Sequence, residues 1–194
     1  MLLLVILWLL FFVSHSVLAA NGVKNVSEKF LGRSFIFYRI GYNLLSLIFM
    51  AFILFILCFR HELNFLFSPN GFISYLGIIG MAAGVLIIIL AFRNYDLSEF
   101  TGIKQLAQKM HHPEKLIIKG INKYVRNPLY TGIIVFVLGY FLQQPTWMNL
   151  VSLFIIYSYI YIGTVLEEKK LDQVFGEEYR KYKKDVKMLI PFLV

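Results

Sequence analysis

Hydrophobic residues run along this chain in long blocks that short polar segments separate. The blocks predict transmembrane helices, because a hydrocarbon layer of about 30 Å needs about 20 apolar residues in a helix. The chain is therefore expected to be an all-α, polytopic membrane protein of about five transmembrane helices, organised as a single integral membrane domain over residues 1–194. The predicted spans are residues 1–20, 35–59, 71–92, 129–143 and 147–166.

The first and fourth blocks are unusual. Residues 1–20 end in the small residues Ala19 and Ala20, as a secretory signal does, but no Lys or Arg precedes the apolar run. We therefore interpret this block as the first transmembrane helix. The fourth block is short, and only residues 144–146 separate it from the fifth. These two blocks are expected to form a tight C-terminal helical hairpin, with tilt or bilayer thinning at the short arm.

Two segments lie outside the predicted spans. Residues 93–128 form a long polar connection, and loops of that length are often functional. Residues 167–190 place apolar side chains three and four apart among charges, which predicts an amphipathic tail helix that Pro191 ends. This helix would lie on the membrane surface or fold back over the other helices. Its apolar positions are Leu171, Phe175, Tyr179, Tyr182, Val186 and Leu189.

The basic residues agree with this layout. The net charge is +8, and all but one of the 19 Lys and Arg residues, Arg60, fall on the same side of the predicted membrane. Cytoplasmic loops collect Lys and Arg, so we expect the N-terminus outside and the C-terminus in the cytoplasm, in a bacterial inner membrane. The charge is then a topology signal that also attracts the lipid bilayer, and nucleic-acid binding is not expected.

The composition limits the kinds of site that the chain can form. The chain is 59% hydrophobic with a mean hydropathy of +0.70, which is far more apolar than a soluble domain. Its single cysteine, Cys58, cannot form an internal disulfide or a Cys-based zinc site. His111 and His112 are adjacent rather than four residues apart, so no metal site is expected.

Arg126, Asn127 and Pro128 mark the start of the fourth span. Asn127 is predicted to be the N-cap and Pro128 the first helical residue, since Pro has no N–H to leave unpaired. The helix N-terminus and Arg126 would together suit a ligand carboxylate or phosphate. An ordinary capped helix with a topology-setting arginine explains the same residues, and that alternative stays open.

Glu167 and Glu168 lie at the end of the fifth span, where hydrocarbon gives way to water. Carboxylates there face a desolvation cost unless they find a partner, so the pair marks a possible cation site. A hairpin would bring Arg126, Asn127, Tyr130 and Glu167 to one membrane face, around a pocket for a ligand with a carboxylate and a positive centre. A solvated helix end is the alternative interpretation.

These motifs resemble a known superfamily. Residues 120–132, with Arg126-Asn127-Pro128-Leu129-Tyr130, and the later Glu167-Glu168, Phe175-Gly176, Tyr182 and Pro191 resemble the isoprenylcysteine carboxyl methyltransferase and phospholipid methyltransferase superfamily. The N-terminal segments resemble its branch of methanethiol S-methyltransferases and NnrU-like proteins. They are His15-Ser16, Lys24, residues 38–43 and residues 95–102.

The resemblance implies S-adenosylmethionine as methyl donor, bound in a cytoplasm-facing pocket of the last two helices. The isoprenylcysteine enzymes typically have His where Asn127 stands and Tyr where Asn122 stands, and Asn cannot act as a general base near neutral pH. The cofactor contacts that the resemblance implies, with Arg126 beside them, are Glu114, Lys115, Leu116, Ile117, Asn122, Asn127, Pro128, Leu129, Tyr130 and Glu167.

The resemblance further implies a membrane methyltransferase that acts on a small thiol such as methanethiol. A prenylcysteine carboxylate or a lipid amine is an alternative acceptor, and a non-catalytic NnrU-like accessory factor is an alternative of another class. Displacement at a sulfonium methyl needs alignment and water exclusion more than an acid or base. The catalytic residues are left open, and His15 and Tyr38 are the candidates to test along an acceptor channel.

Overall fold

The structure, a computed structural model, describes residues 1–59, 65–93 and 116–190, apart from the side chains of Asn21 and Cys58. The chain divides into two compact units, the first holding described residues 1–59 and the second holding 65–93 and 116–190. Most of the predicted polar connection lies outside the described residues. So do Arg60, His111, His112, Glu114, Lys115 and Pro191. The prediction of one membrane domain over the whole chain stays a prediction.

The first unit is a pair of antiparallel helices with a shorter helix between them. Its elements are α1 (Leu2–Ala19), α2 (Asn21–Leu31), a 3-10 helix (Gly32–Phe37) and α3 (Tyr38–Phe59). Trp8 of α1 and Ile53 of α3 are buried in its core, at 2% and 0% exposure. At the other end the Tyr38 hydroxyl donates to the Leu18 carbonyl oxygen at 3.0 Å. The sequence pattern did not predict α2, because its polar composition gives no apolar block.

The second unit contains the C-terminal hairpin. Its elements are α4 (Gly71–Phe92), a 3-10 helix (Gly120–Lys123), α5 (Pro128–Gln143), α6 (Trp147–Phe175) and α7 (Glu177–Asp185). The side chain of Asn70 caps α4, and the side chain of Thr146 caps α6 by accepting from the Asn149 N–H. The Leu66 N–H donates to the Pro145 carbonyl at 2.8 Å, which fixes the turn between α5 and α6.

The apolar helices make this a multi-pass membrane protein. Four helical stretches are long and apolar enough to cross a bilayer: Leu2–Ala19, Gly22–Leu57, Gly71–Phe92 and Trp147–Phe175. The fifth apolar helix, α5, has only 16 residues, so it is the short arm that the sequence predicts. The expected all-α, polytopic architecture with a C-terminal hairpin is confirmed.

Helices α4 and α5 pack backbone to backbone along a seam of glycines. A Cβ atom added at Gly84 would lie 2.6 Å from the Phe136 backbone nitrogen, and one at Gly139 would lie 2.6 Å from the Met81 nitrogen. Such distances are far below van der Waals contact, so only glycine fits at these positions. Small residues let membrane helices approach closely enough for extensive dispersion contact. Gly77 and Gly132 complete the antiparallel seam.

The tail differs from the single helix predicted over residues 167–190. Helix α6 continues to Phe175, and the chain then turns at Gly176, whose φ of +51° is in the left-handed region that glycine tolerates best. Helix α7 begins at Glu177 and ends at Asp185. The amphipathic pattern nevertheless predicted the packing, because Tyr179, Tyr182, Val186 and Leu189 are all buried. The tail folds back over the start of α5.

Candidate functional site

The residues that follow α7 run back along the start of α5. We call residues 186–189 the C-terminal strap. The Arg126 N–H donates to the Lys187 carbonyl at 2.9 Å, and the Asn127 N–H donates to the Met188 carbonyl at 3.2 Å. The buried Thr131 hydroxyl donates to the Leu189 carbonyl at 2.6 Å. Backbone groups at the entry to α5 are therefore satisfied by the strap.

A buried ion pair lies beneath the strap. The Arg126 Nε donates to Glu168 Oε1 at 2.7 Å and its Nη2 donates to Oε2 at 2.9 Å, with the two side chains 8% and 6% exposed. The Nη1 of Arg126 donates to the carbonyls of Val186 and Lys183. This two-point geometry is the strong form of an arginine–carboxylate contact. Every nitrogen of the guanidinium is thus engaged within the protein.

Asn127 connects the ion pair to the strap. It precedes Pro128, the first residue of α5, as the sequence predicts, but its side chain does not cap the helix. The Nδ2 atom instead donates to Glu168 Oε1 and to the Met188 carbonyl, both at 3.2 Å. Both amide protons are therefore used in holding the site together. The residue is buried, at 7% exposure.

A second, exposed pair lies one residue before Glu168 on α6. The Tyr130 hydroxyl donates to Glu167 Oε2 at 3.0 Å in exposed surroundings. Consecutive residues on a helix point about 100° apart, so Glu167 and Glu168 face different environments. The site therefore has a buried layer, formed by Arg126, Asn127 and Glu168, and an exposed layer, formed by Tyr130 and Glu167.

Aromatic side chains of α7 close the buried layer. Tyr179 and Tyr182 pack with Val186 in a cluster that Leu116, Leu171 and Phe175 border. Tyr182 donates its hydroxyl proton to the Asn122 carbonyl at 2.5 Å. Burial raises the pKa of Tyr179 above its usual range, and the negative charge of Glu168 raises this pKa further. The Tyr179 hydroxyl therefore stays protonated beside the ion pair.

The first unit holds the two sequence-predicted candidates for acceptor chemistry. His15 Nδ1 lies 3.0 Å from the Ser46 Oγ, and that hydroxyl donates to the Tyr42 carbonyl at 2.8 Å. Because Ser46 has one hydroxyl proton, it accepts from His15, so Nδ1 carries the imidazole proton and Nε2 keeps a lone pair. The Tyr38 hydroxyl is used in the bond to Leu18 that closes α1 on α3.

The structure brings together most of the described residues that the sequence singled out. The start of α5 and the end of α6 meet, so Arg126 and Asn127 share one end of the second unit with Tyr130 and Glu167. Sequence reasoning did not identify Glu168 as the partner of Arg126, although it noted the adjacent acidic pair. The remaining candidates near this end are Leu116, Ile117, Asn122, Pro128 and Leu129, while Glu114 and Lys115 lie outside the described residues.

Comparison with known proteins gives a family match. A model of the phospholipid methyltransferase family matches residues 72–178, which is more than half of the chain. This stretch runs from α4 to the start of α7 and includes both layers of the site. No solved structure matches the chain.

Several curated proteins are similar to part of this chain. Methanethiol S-methyltransferase 1 of Bradyrhizobium diazoefficiens is 36% identical over 107 residues, which cover 54% of this chain and 35% of that protein. The methanethiol S-methyltransferase of Pseudomonas deceptionensis is 44% identical over 72 residues, covering 37% of this chain and 26% of that protein. A probable protein-S-isoprenylcysteine O-methyltransferase of Oryza sativa subsp. indica is 28% identical over 123 residues, 63% of each chain. The matched stretches thus span less than half of either methanethiol enzyme.

Proposed function

Since the chain belongs to the phospholipid methyltransferase family, we propose that it is a membrane-embedded methyltransferase that moves a methyl group from S-adenosylmethionine to a small thiol such as methanethiol. The names of the Bradyrhizobium and Pseudomonas relatives, both methanethiol S-methyltransferases, support the thiol acceptor. The activity, the donor and the acceptor of this chain all belong to the proposal.

The meeting of Tyr130 and Glu167 above the buried layer is the observation that carries the proposal. An exposed carboxylate suits the ammonium and sulfonium charges of the donor, and the Tyr130 hydroxyl offers a second polar contact. The nearby start of α5 carries the partial positive charge that suits a carboxylate. These groups fit an amino-acid moiety attached to a sulfonium.

We propose the other cofactor contacts from the resemblance to the methyltransferase superfamily. Ile117 is 45% exposed and offers an apolar surface to an adenine ring. Arg126 acts as a positioning residue, because its guanidinium is engaged with Glu168 and with backbone carbonyls. The further proposed contacts are Glu114, Lys115, Leu116, Asn122, Asn127, Pro128 and Leu129.

Methyl transfer from a sulfonium needs little general acid or general base catalysis. When bound, S-adenosylmethionine supplies a methyl group on a positively charged sulfur. The role of the chain would be to align the acceptor sulfur with the methyl carbon, opposite the sulfonium bond that would break, and to exclude water. Asn127 takes no part in proton transfer, since its two amide protons are donated to Glu168 and to the Met188 carbonyl of the strap.

A neutral thiol must lose its proton before or during transfer. We propose His15 as the residue to test for this step, because its Nδ1 proton is held by Ser46 and its Nε2 has a lone pair. Tyr38 is the second candidate along an acceptor channel. If the His15→Ala/Tyr38→Ala double variant methylates thiols as the parent does, neither residue has this role.

Two alternatives compete with the thiol methyltransferase. The similarity to the rice isoprenylcysteine enzyme favours a larger acceptor, a prenylcysteine carboxylate or a lipid amine, in the same site. An accessory factor of the NnrU-like kind would keep the scaffold without the activity. Cofactor binding distinguishes enzyme from accessory factor, and the acceptor profile distinguishes the enzymes.

Calorimetric titration of S-adenosylhomocysteine into detergent-purified protein tests the proposal. We expect micromolar binding that Glu167→Gln and Tyr130→Phe weaken. Glu177→Gln is the matched control, because Glu177 is an exposed carboxylate of α7 that pairs with Arg180. Folded protein that does not bind the ligand would favour the accessory factor. Protein that binds S-adenosylhomocysteine is then assayed for methylation of methanethiol, of a farnesylcysteine analogue and of phosphatidylethanolamine.

The orientation belongs to the same proposal. We infer that the site faces the cytoplasm, with the N-terminus outside and the C-terminus inside, in a bacterial inner membrane. The basic residues of the strap and of α7 support this orientation, since Lys and Arg collect on the cytoplasmic side. A cysteine introduced at exposed Lys184 should react with a membrane-impermeant thiol reagent only after the membrane of intact cells is made permeable.

A further inference from the structure

Helix α2 connects α1 to α3, and both of these helices are long and apolar. Helix α1 has 18 residues and is therefore about 27 Å long, which is close to the thickness of the hydrocarbon layer. Helix α3 returns antiparallel to α1, so both ends of the connecting segment, residues 20–37, lie on the same membrane face. Ala20 has extended backbone, with φ −68° and ψ 137°, and separates α2 from α1. The segment that contains α2 thus begins and ends at one membrane face.

One face of α2 is apolar and largely exposed. At about 100° per residue, Val23, Val26 and Phe30 fall within an arc of about 60°. The Phe30 side chain is 86% exposed and Val26 is 54% exposed. A large aromatic side chain at that exposure has a strong drive to leave water. Asn25 lies on the opposite, polar face.

The charges around this face complement an anionic surface. Lys24, Lys29 and Arg33 are basic, and Glu28 is the one acidic residue between positions 20 and 37. Lys29 falls about 60° beyond one edge of the apolar arc, and Lys24 falls about 100° beyond the other edge, on the polar face. A lysine stem in the position of Lys29 lies along the apolar layer while its ammonium group reaches the phosphates.

We propose that α2 is an interfacial helix for anionic lipid, which inserts Val26 and Phe30 into the acyl boundary and sets Lys29 and Arg33 at the level of the headgroup phosphates. A helix with a strong apolar face and basic flanks binds through buried area and through attraction to anionic lipids together. The lipid partner is thus a bilayer rich in phosphatidylglycerol or a similar anionic headgroup. This inference is independent of the methyltransferase proposal.

Spin labelling of the whole protein in vesicles tests the proposal. Cys58 is the single cysteine, so a Cys58→Ser background allows one nitroxide at a time, on Phe30→Cys or on the control Asn25→Cys. Power saturation with oxygen and with a water-soluble nickel complex reports depth. The vesicles are phosphatidylcholine with or without phosphatidylglycerol, and Lys29→Gln/Arg33→Gln is compared with the parent charges.

We expect the label at position 30 to be accessible to oxygen and protected from nickel, and the label at position 25 to show the reverse. Phosphatidylglycerol should deepen position 30, and Lys29→Gln/Arg33→Gln should remove that dependence on lipid charge. Equal depth with and without anionic lipid overturns the proposal. A label at position 30 that is protected from both reagents also overturns it, because a protein surface then covers this face.

Discussion

Arg126 and Glu168 are 42 residues apart in sequence, yet their side chains form a two-point contact of 2.7 and 2.9 Å in the interior of the second unit. The pair joins the start of α5 to the end of α6, and the remaining guanidinium nitrogen holds the carbonyls that lead into the strap. Three segments of the chain thus depend on one charge pair for their arrangement. The exposed Tyr130–Glu167 pair is built on this arrangement.

Glu168→Gln should destabilise the protein by about 3–5 kcal/mol, since removal of one partner leaves a buried charge without compensation. Arg126→Lys keeps the charge but loses the planar two-point contact, so an intermediate loss is expected. Unfolding in mixed detergent micelles measures both. Glu177→Gln, which breaks the surface pair with Arg180, is the control and should change the free energy little. Equal effects of Glu168→Gln and this control would contradict a structural role for the pair.

Glu167→Gln should separate ligand affinity from stability. The Tyr130–Glu167 contact is exposed, so its loss should change the free energy of unfolding by less than about 1 kcal/mol. If Glu167 contacts the donor, affinity for S-adenosylhomocysteine should fall by about tenfold, which corresponds to about 1.4 kcal/mol. Stability and calorimetry on one preparation give both quantities. A variant that loses both in proportion would place Glu167 in the scaffold instead.

Substitutions at Asn127 should rank by the donors they keep. A neutral His has one N–H donor, so Asn127→His leaves either Glu168 or the Met188 carbonyl without its bond, at a cost of about 1–3 kcal/mol. Asn127→Asp offers no donor when ionised and adds a negative charge beside Glu168, so it should destabilise more. Thermal unfolding in detergent checks the order. An Asp variant as stable as the His variant would contradict the hydrogen bonding described for this residue.

Gly84→Ala should destabilise the α4–α5 contact, although alanine is normally the better helix former by about 1 kcal/mol. The new methyl group would meet the Phe136 and Gly132 backbone, which cannot move aside as a side chain can. Overpacking of this kind costs about 1–3 kcal/mol. Gly163→Ala in α6 is the control, because nothing lies within 4 Å of its added Cβ. The control should be neutral or more stable than the parent, and identical behaviour of the two variants would disprove the close seam.

Tyr179 should make the folded protein less stable at alkaline pH. Its pKa is raised in the folded state, so the stability linked to its neutral form is complete below about pH 10, the value for an unfolded chain. That stability is lost as the pH rises above about 10, because only the unfolded chain then releases the proton readily. The free energy of unfolding should therefore decline less steeply between pH 9 and 11 in Tyr179→Phe than in the parent. Parallel pH profiles would show that Tyr179 does not contribute.

The spans were predictable because hydrophobic length is a property of the local sequence. Helix α4 begins and ends where its apolar block does, at Gly71 and Phe92. Helix α2 was not predicted, since a short amphipathic helix beside a membrane leaves no long apolar block. The break at Gly176 was also missed, because the apolar spacing continues across it while the helix ends at Phe175.

The site was predictable to the level of which segments meet, but not of which atoms pair. The adjacent carboxylates at 167 and 168 have the same chemistry, and only the rotation of α6 decides that Glu168 faces inward. Likewise Asn127 has the residue type and position of an N-cap, but its amide turns toward Glu168 and the strap. Such choices depend on tertiary packing, which no local pattern contains.

The glycine seam also restricts the routes by which a membrane-dissolved molecule could reach the site. Between α4 and α5 the backbones approach so closely that even one methyl group at Gly84 or Gly139 has no space. A lipid-soluble molecule is much wider than a methyl group and cannot pass between α4 and α5. Any hydrophobic acceptor that reaches Tyr130 and Glu167 from the side must therefore travel past another face of α5 or along α6.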